Sequence, residues 1–345
     1  MRSIPPEKDP EKAPDEAPDE AGFASDLPHR LDALVRRGGA PALHGVVVAR
    51  HGHVVLEWYG GGEDYTLNTP LGHVDFGPDT LHDLRSVTKS LVALLYGMAL
   101  ESGLVPDPGE PLLSAFPEHA DLAADPRRAG LTVGHALTMT MGLEWDESAP
   151  YTSPANSEIA MEMAPDRCRY VLERPFVEEP GERWRYSGGA AALVGAIVEK
   201  GTGLRLQEFA RTALFEPLGV GAFEWSAGSD GRALAASGLR LTPRGLARIG
   251  QAVLGREVAP GWIGEMLRPR VPAWEGVSYG YMWYAGPGAR ATAIGNGGQR
   301  LFLLPDLDLV VAVTAGDYNG PGQDAAPAAV LENVVLPAIT RGDAR

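Results

Sequence analysis

Apolar runs of strand length crowd the two ends of this 345-residue chain, and a long series of helix-length segments separates them. Near the start, Gly45-Val-Val-Val-Ala-Arg50, a His51-Gly52-His53 turn and Val54-Val-Leu-Glu-Trp58 read as a hairpin. Near the end, strand character returns at 279–284, 291–295, 300–304 and 309–314, and a last helix is predicted over 325–339. Early and late strands that share one antiparallel sheet, with a helical insertion between them, make an α+β fold of two lobes with a cleft at their boundary. The reading divides the chain into a sheet domain (23–103 and 271–345), a mainly helical domain (104–270) and an acidic, Pro-rich tail (1–22). That tail buries too little apolar area to offset its ordering entropy and is expected to be disordered.

Within this frame a short amphipathic helix is predicted near 26–37, and a polar, Gly-rich stretch is left without regular structure to about residue 80. A helix is predicted over 85–100, with Gly103 just past its end, and another over 189–200 ending at Gly201. Thr242-Pro243 caps a helix over 244–251. No internal repeat is visible.

With 45 acidic and 30 basic residues the net charge is −15, which argues against a nucleic-acid groove or an anionic membrane surface, since both need clustered Lys and Arg. Apolar residues make up 44%, yet no run approaches the roughly 20 residues of a membrane span. The start of the chain lacks the basic and apolar regions of a secretory signal, so a cytoplasmic location is expected. A single cysteine, Cys168, rules out an internal disulfide and reads as a packed residue. His51 and His53 are explained by the hairpin turn better than by a metal.

Ser86-Val-Thr-Lys89 opens the predicted helix over 85–100. Positions i and i+3 share a helix face, so hydroxyl and amine can meet, and the helix N-terminus favours negative charge on the serine. The following Leu91-Val-Ala-Leu-Leu-Tyr-Gly-Met-Ala-Leu100 is apolar on every face, which implies a buried helix and a lysine held neutral by burial. A plain N-cap serine with a solvated lysine is the competing reading of this stretch. The chain has four lysines, two of them in the tail, so a lysine entering an apolar helix is the stronger clue. Further on, Tyr186-Ser187-Gly188 lies at a loop-to-helix junction, where Tyr186 is either an active-site or a packing side chain. Gly295-Asn296-Gly297-Gly298-Gln299 lies between two late strands, where glycines permit close approach of a substrate or simply make a turn.

Together these motifs resemble the serine β-lactamase and penicillin-binding-protein superfamily, in particular its class C-like branch of esterases, D-aminopeptidases and 6-aminohexanoate-dimer hydrolases. The stretches His82 to Ser90, Ala136 to Leu143 and Ser237 to Arg248 are similar to that branch too. The resemblance implies a β-lactamase-like fold over roughly 27–340. It implies a serine hydrolase acting on a small ester, amide or lactam through an acyl-enzyme, with no cofactor or metal. By that resemblance Ser86 is the nucleophile, Lys89 in neutral form its base and Tyr186 the proton relay. The backbone N–H groups of Ser86 and Gln299 form the oxyanion hole, and Asn296, Gly297 and Gly298 bind substrate.

Two departures stand out. The family's second motif is often Tyr-x-Asn, and here Gly188 replaces the amide. Its third motif often begins with Lys or His, and here Asn296 stands first. Both weaken the case for a β-lactamase or D-alanyl peptidase, the nearest alternative; a catalytically silent ligand-binding relative is the other. Tyr151, Trp274 and Trp283 could line the cleft or pack in the core. Gly276-Val-Ser278-Tyr-Gly280 matches the nucleophile elbow of α/β-hydrolases, but a strand rather than a helix is predicted after it. Oligomeric state is not legible.

Overall fold

The computed structural model describes residues 14–288 and 290–340. It opens with α1 (Leu27–Arg36), whose buried Leu27, Leu31 and Leu34 sit at helical spacing. The predicted hairpin follows as β1 (Leu43–Arg50) and β2 (His53–Tyr59). His51 and Gly52 both take positive φ at its two-residue turn, which matches the right-handed twist of the strands.

The stretch left irregular by the sequence forms a second hairpin, β3 (Gly61–Thr66) with β4 (Thr69–Asp75), followed by the two-residue β5 (His82–Asp83). Most of its side chains are polar or glycine, and all but Asp64 are exposed or half-buried, so no apolar alternation marked it. Then come α2 (Val87–Glu101), α3 (Ser157–Met163) and α4 (Gly188–Thr202) among several shorter helical turns. α4 runs past Gly201 and stops at Gly203, whose φ of +70° gives the left-handed exit. β6 (Glu224–Trp225) and β7 (Leu239–Leu241) join β5 in a small sheet. α5 (Pro243–Leu254) and α6 (Pro260–Leu267) complete the helices of the middle segment.

The late strands are β8 (Val271–Trp274), β9 (Val277–Tyr279), β10 (Tyr284–Ala285), β11 (Ala291–Gly295), β12 (Gln299–Leu304) and β13 (Leu309–Ala315). The single strand expected over 279–284 is therefore two. Met282, at φ +57°, bends the chain inward between them, and its N–H bonds to Leu137. Helical turns from Ala325 to Ala338 close the chain.

Eight strands form one antiparallel sheet in the order β2-β1-β13-β12-β11-β10-β9-β8, so early and late segments pair directly, with Val47 opposite Ala312. Both faces of its centre are covered. Val47 and Ala49 join the core under α2, α4 and α5, while Val46 and Val48 join a second core under α1 and the closing helical turns. α5, which the sequence placed with the helical segment, packs on the sheet: a Cβ on its Gly250 would meet Val310, Leu301 and Leu303. Of the expected disordered tail, residues 1–13 lie outside the described residues, but 14–22 are ordered. Ala21 is buried, and Arg50 donates to the carbonyls of Ala21 and Gly22 at 2.9 and 3.0 Å. Its alternating Pro and charge hid these backbone anchors. Among the described residues no helix is long and apolar enough to cross a membrane.

Candidate active site

Ser86 is the N-cap of α2, delivered by a strained residue: Arg85 has φ +49°. Asp83 holds that bend. Its carboxylate accepts from the N–H of Arg85 at 2.9 Å and of Leu67 at 2.7 Å, and pairs with the Arg85 guanidinium at 3.4 Å. Tyr318 stacks on the guanidinium from above, 4.5 Å from ring centre to Cζ.

One helical turn on, Lys89 is 2% exposed and donates to Ser86 Oγ at 3.1 Å and to the Ala236 carbonyl at 2.7 Å. Ala236 belongs to a loop that Trp225 ties down through the Leu234 and Ser237 carbonyls. Lys89 Nζ lies 4.9 Å from the centre of the Tyr186 ring, and the phenol hydroxyl interacts with both Ser86 and Lys89. Tyr186 is aimed by its neighbours: the Arg185 N–H bonds to Met139, and Ser187 caps α4 through the Ala190 N–H at 3.1 Å. The three side chains thus meet on α2 and at the start of α4, beside a cleft of about 590 Å³, open solvent included, lined by Ser86, Tyr151, Glu158, Ser237 and Asn296.

The third motif divides. Asn296 lines the cleft, its amide bonded to Asn319 at 3.0 Å and its oxygen accepting the Asn319 N–H at 2.8 Å. Gly297 and Gly298 do not line it. The Gly297 N–H donates to Gln323, a Cβ there would strike the Tyr318 ring at 2.5 Å, and a Cβ on Gly298 would meet Ala315 at 2.9 Å. They make a tight turn at φ +89° and +98°. Gln299 anchors that turn: its buried amide bonds to the Asn296 and Ala315 carbonyls and to the Ala315 N–H. Gly295 brings the hairpin against the serine's loop, a Cβ on it falling 2.4 Å from the Leu84 carbonyl. Of the aromatic candidates Tyr151 lines the cleft, Trp283 is buried with its indole on the Ser90 carbonyl, and Trp274 packs half-exposed on Trp184. Ser278 sits on β9 with no helix behind it, which removes the elbow reading.

The expectation of a lysine left neutral by burial meets an opposing pull from its neighbours. Burial does pull the Lys89 amine down, but Tyr186, Glu158 and Glu147 together hold it above the ordinary lysine value. The phenol of Tyr186 is itself pushed up by burial, and the acidic groups beside the amine are the two glutamates. Neither was singled out by sequence. Glu147 accepts from Trp145 (2.6 Å), Tyr151 (2.7 Å) and the Gly188 N–H (2.6 Å). Glu158 stands 3.5 Å from Lys89 Nζ, and burial, with Glu147 and Glu162 nearby, raises its carboxyl to about 7 against the pull of Lys89. The clue available in sequence was indirect: a lysine in an apolar helix requires a counter-ion, and Glu158 follows the N-cap Asn156 like any first-turn glutamate.

Behind the serine's loop His44, Asp64 and His82 form a buried cluster whose nitrogens and carboxylate oxygen converge within 4.8 Å. His82 Nδ1 faces the Asp83 carbonyl at 3.1 Å, so it carries the proton, and Nε2 accepts from His44 Nδ1 at 2.9 Å. Asp64 accepts from Tyr318 at 2.8 Å and pairs with Arg240 at 3.1 Å. These bonds tie β3, β5, β7 and the segment after β13 together beneath Arg85.

The family profile described as Beta-lactamase matches residues 29–334. The chain belongs to the Beta-lactamase family. Among curated relatives, the 6-aminohexanoate-dimer hydrolase of Paenarthrobacter ureafaciens is 26% identical over 316 residues, covering 83% of this chain and 75% of that protein. Esterase EstB of Burkholderia gladioli is 30% identical over 213 residues, 57% of this chain and 51% of the esterase. The fold recurs in EstCE1, a hydrolase with promiscuous acyltransferase activity, with TM-score 0.69 and 17% identity over 88% of this chain and 98% of that one. It recurs as well in a penicillin-binding-protein homologue from Caulobacter crescentus, with TM-score 0.68 and 18% identity over 91% and 99%. These likenesses agree with the α+β fold read from the order of strands and helices and with the β-lactamase-like fold that the motif resemblance implied.

Proposed function

We propose that this member of the family is a serine hydrolase that cleaves a small ester or amide through an acyl-enzyme. The observation that carries the reading is the Lys89 amine 3.1 Å from Ser86 Oγ at the edge of an open cleft, with the Tyr186 phenol against both. Ser86 Oγ attacks the acyl carbon while its proton passes to Lys89. The backbone N–H groups of Ser86 and Gln299 receive the developing oxyanion, where one donor is typically worth about 3–4 kcal/mol of barrier. Tyr186 hands the proton to the leaving group, the acyl-enzyme forms, and water, activated by the same groups, releases the acid.

The substrate class follows from what the cleft presents. Asn296, tied to Asn319, offers an amide where a cation would hold a substrate carboxylate, and Gly188 offers no side chain at all. Both favour a small neutral acyl group over a β-lactam or cell-wall peptide. The names of the relatives above, an amide hydrolase and an esterase, support the same choice.

The test compares p-nitrophenyl acetate, p-nitrophenyl butyrate, nitrocefin and a 6-aminohexanoate dimer as substrates, with Lys89→Ala as control. The expected result is sustained turnover of the p-nitrophenyl esters or the dimer, and a loss of at least about a hundredfold in Lys89→Ala with the circular dichroism unchanged. Faster turnover of nitrocefin than of every ester and amide would favour the β-lactamase reading. Activity of Lys89→Ala within tenfold of the parent would remove the assigned base.

A further inference from the structure

The scheme above needs Lys89 in its neutral form, because a charged amine cannot accept the Ser86 proton, while Tyr186, Glu158 and Glu147 pull the amine towards its charged form. A buried carboxylate with no part in that scheme lies beside it. Glu158, 5% exposed, places Oε2 3.5 Å from Lys89 Nζ, and this oxygen makes no hydrogen bond of good geometry among the described residues. Its other oxygen meets Ser237 Oγ at a long 3.5 Å. Glu147 next to it differs sharply, since three donors at 2.6–2.7 Å saturate it. A buried, under-bonded carboxylate is the stronger proton acceptor of the two.

The sequence makes room for it. A Cβ on Gly188 would fall 2.1 Å from Glu158 Oε2 and 2.8 Å from its Cδ. The position where the resembling family often carries an asparagine is thus occupied by a carboxylate that reaches in from α3.

We propose that Glu158 is the positioning residue that takes the proton of Lys89, leaving the free amine that accepts from Ser86; this rests on the hydrolase reading above. The step balances. One N–H bond of the Lys89 ammonium breaks and an O–H bond forms on Glu158, which turns an ion pair into a neutral pair. The amine lone pair then takes the Ser86 proton as the Oγ–acyl bond forms. That proton leaves through Tyr186 to the departing group, and Glu158 returns its own proton to Lys89. The titratable groups facing Glu158 are Lys89 on α2, Glu147 and Tyr151 from the segment before α3, and Glu162 on α3 itself, which Arg167 pairs at 2.8 Å, while Tyr186 faces Lys89 from ahead of α4.

The test is the pH dependence of kcat/KM for p-nitrophenyl acetate between pH 5 and 9.5 in the parent, Glu158→Gln and Glu158→Asp, with folding checked by circular dichroism and melting. In the parent the pair becomes competent once it has lost the first of its two protons, because the one that remains can sit on Glu158. In Glu158→Gln the amine must release its proton to water instead, against the pull of Glu147. The acid limb is therefore expected to move to higher pH by at least about one unit, a tenfold change in proton activity, with Glu158→Asp in between. If Glu158→Gln does not fold, the shift in Glu158→Asp carries the test. An acid limb that stays in place or moves to lower pH overturns the role of Glu158 and leaves the hydrolase reading standing. A parent that turns over none of the esters, amides or lactams overturns both.

Discussion

Gly188 is the residue on which the chemistry of the site turns, because it decides whether a carboxylate or a motif side chain stands beside the lysine. Any Cβ there collides with the end of Glu158. Since that end is a flexible side chain, the collision displaces the carboxylate more than it strains the fold. Gly188→Ala is therefore expected to reproduce the alkaline shift of the acid limb argued for Glu158→Gln, with a melting temperature close to the parent. A parent-like pH profile in Gly188→Ala would mean that Glu158 does not act from this place. At this scale the pairing of Ser86 with Lys89 could be read from their spacing and their setting among apolar residues, which are local properties of the chain, whereas Tyr186 was reached through the family resemblance. Glu147 and Glu158 were not legible. Their meaning arises only where three distant segments converge, and in sequence each is an ordinary acidic residue near a turn or a helix start. The setting of Lys89 was half visible for the same reason: its burial could be read, but the acidic groups beside it could not.

Among the elements, α2 matters most, because it carries the serine and lysine and is packed on all sides. Gly97 on it admits the Trp262 indole of α6, which donates to the Ala93 carbonyl at 3.0 Å and stacks on Tyr281. A Cβ at that position would lie 1.9 Å from the indole. The indole is hemmed in by that bond and that stack, so Gly97→Ala is expected to destabilise the fold by about 1–3 kcal/mol, read from urea unfolding. An unchanged midpoint would show that the helix pair can slide apart freely. The strands of the main sheet and the helices α2 and α4 could be read from sequence because burial demands continuous apolar runs. The β3–β4 hairpin could not, for its two polar strands are fixed by Asp64 and Asp83 reaching other elements. The split of β9 from β10 likewise depends on a bond from Met282 to a distant carbonyl.

Taken as a whole, the molecule is built on one large antiparallel sheet in which early and late segments of the chain pair, with the serine's loop braced underneath by His44, Asp64 and His82. That brace makes stability depend on pH. Burial depresses His44 to about 4 and His82 to about 3, so both stay neutral in the native state while the unfolded chain binds their protons below about 6.5. Stability is then lost as pH falls from 6.5 towards 4, by up to about 1.4 kcal/mol per pH unit for each histidine. Urea unfolding at pH 6.5 and 5 should show this slope, and His44→Leu should flatten it whatever its absolute stability. Equal slopes would contradict the assignment. The account as a whole stands most directly on which serine reacts. Peptide mass spectrometry after treatment with a fluorophosphonate is expected to find one adduct, on the peptide that carries Ser86, lost in Ser86→Ala. An adduct on the peptide that carries Ser278, or none at all, would contradict it.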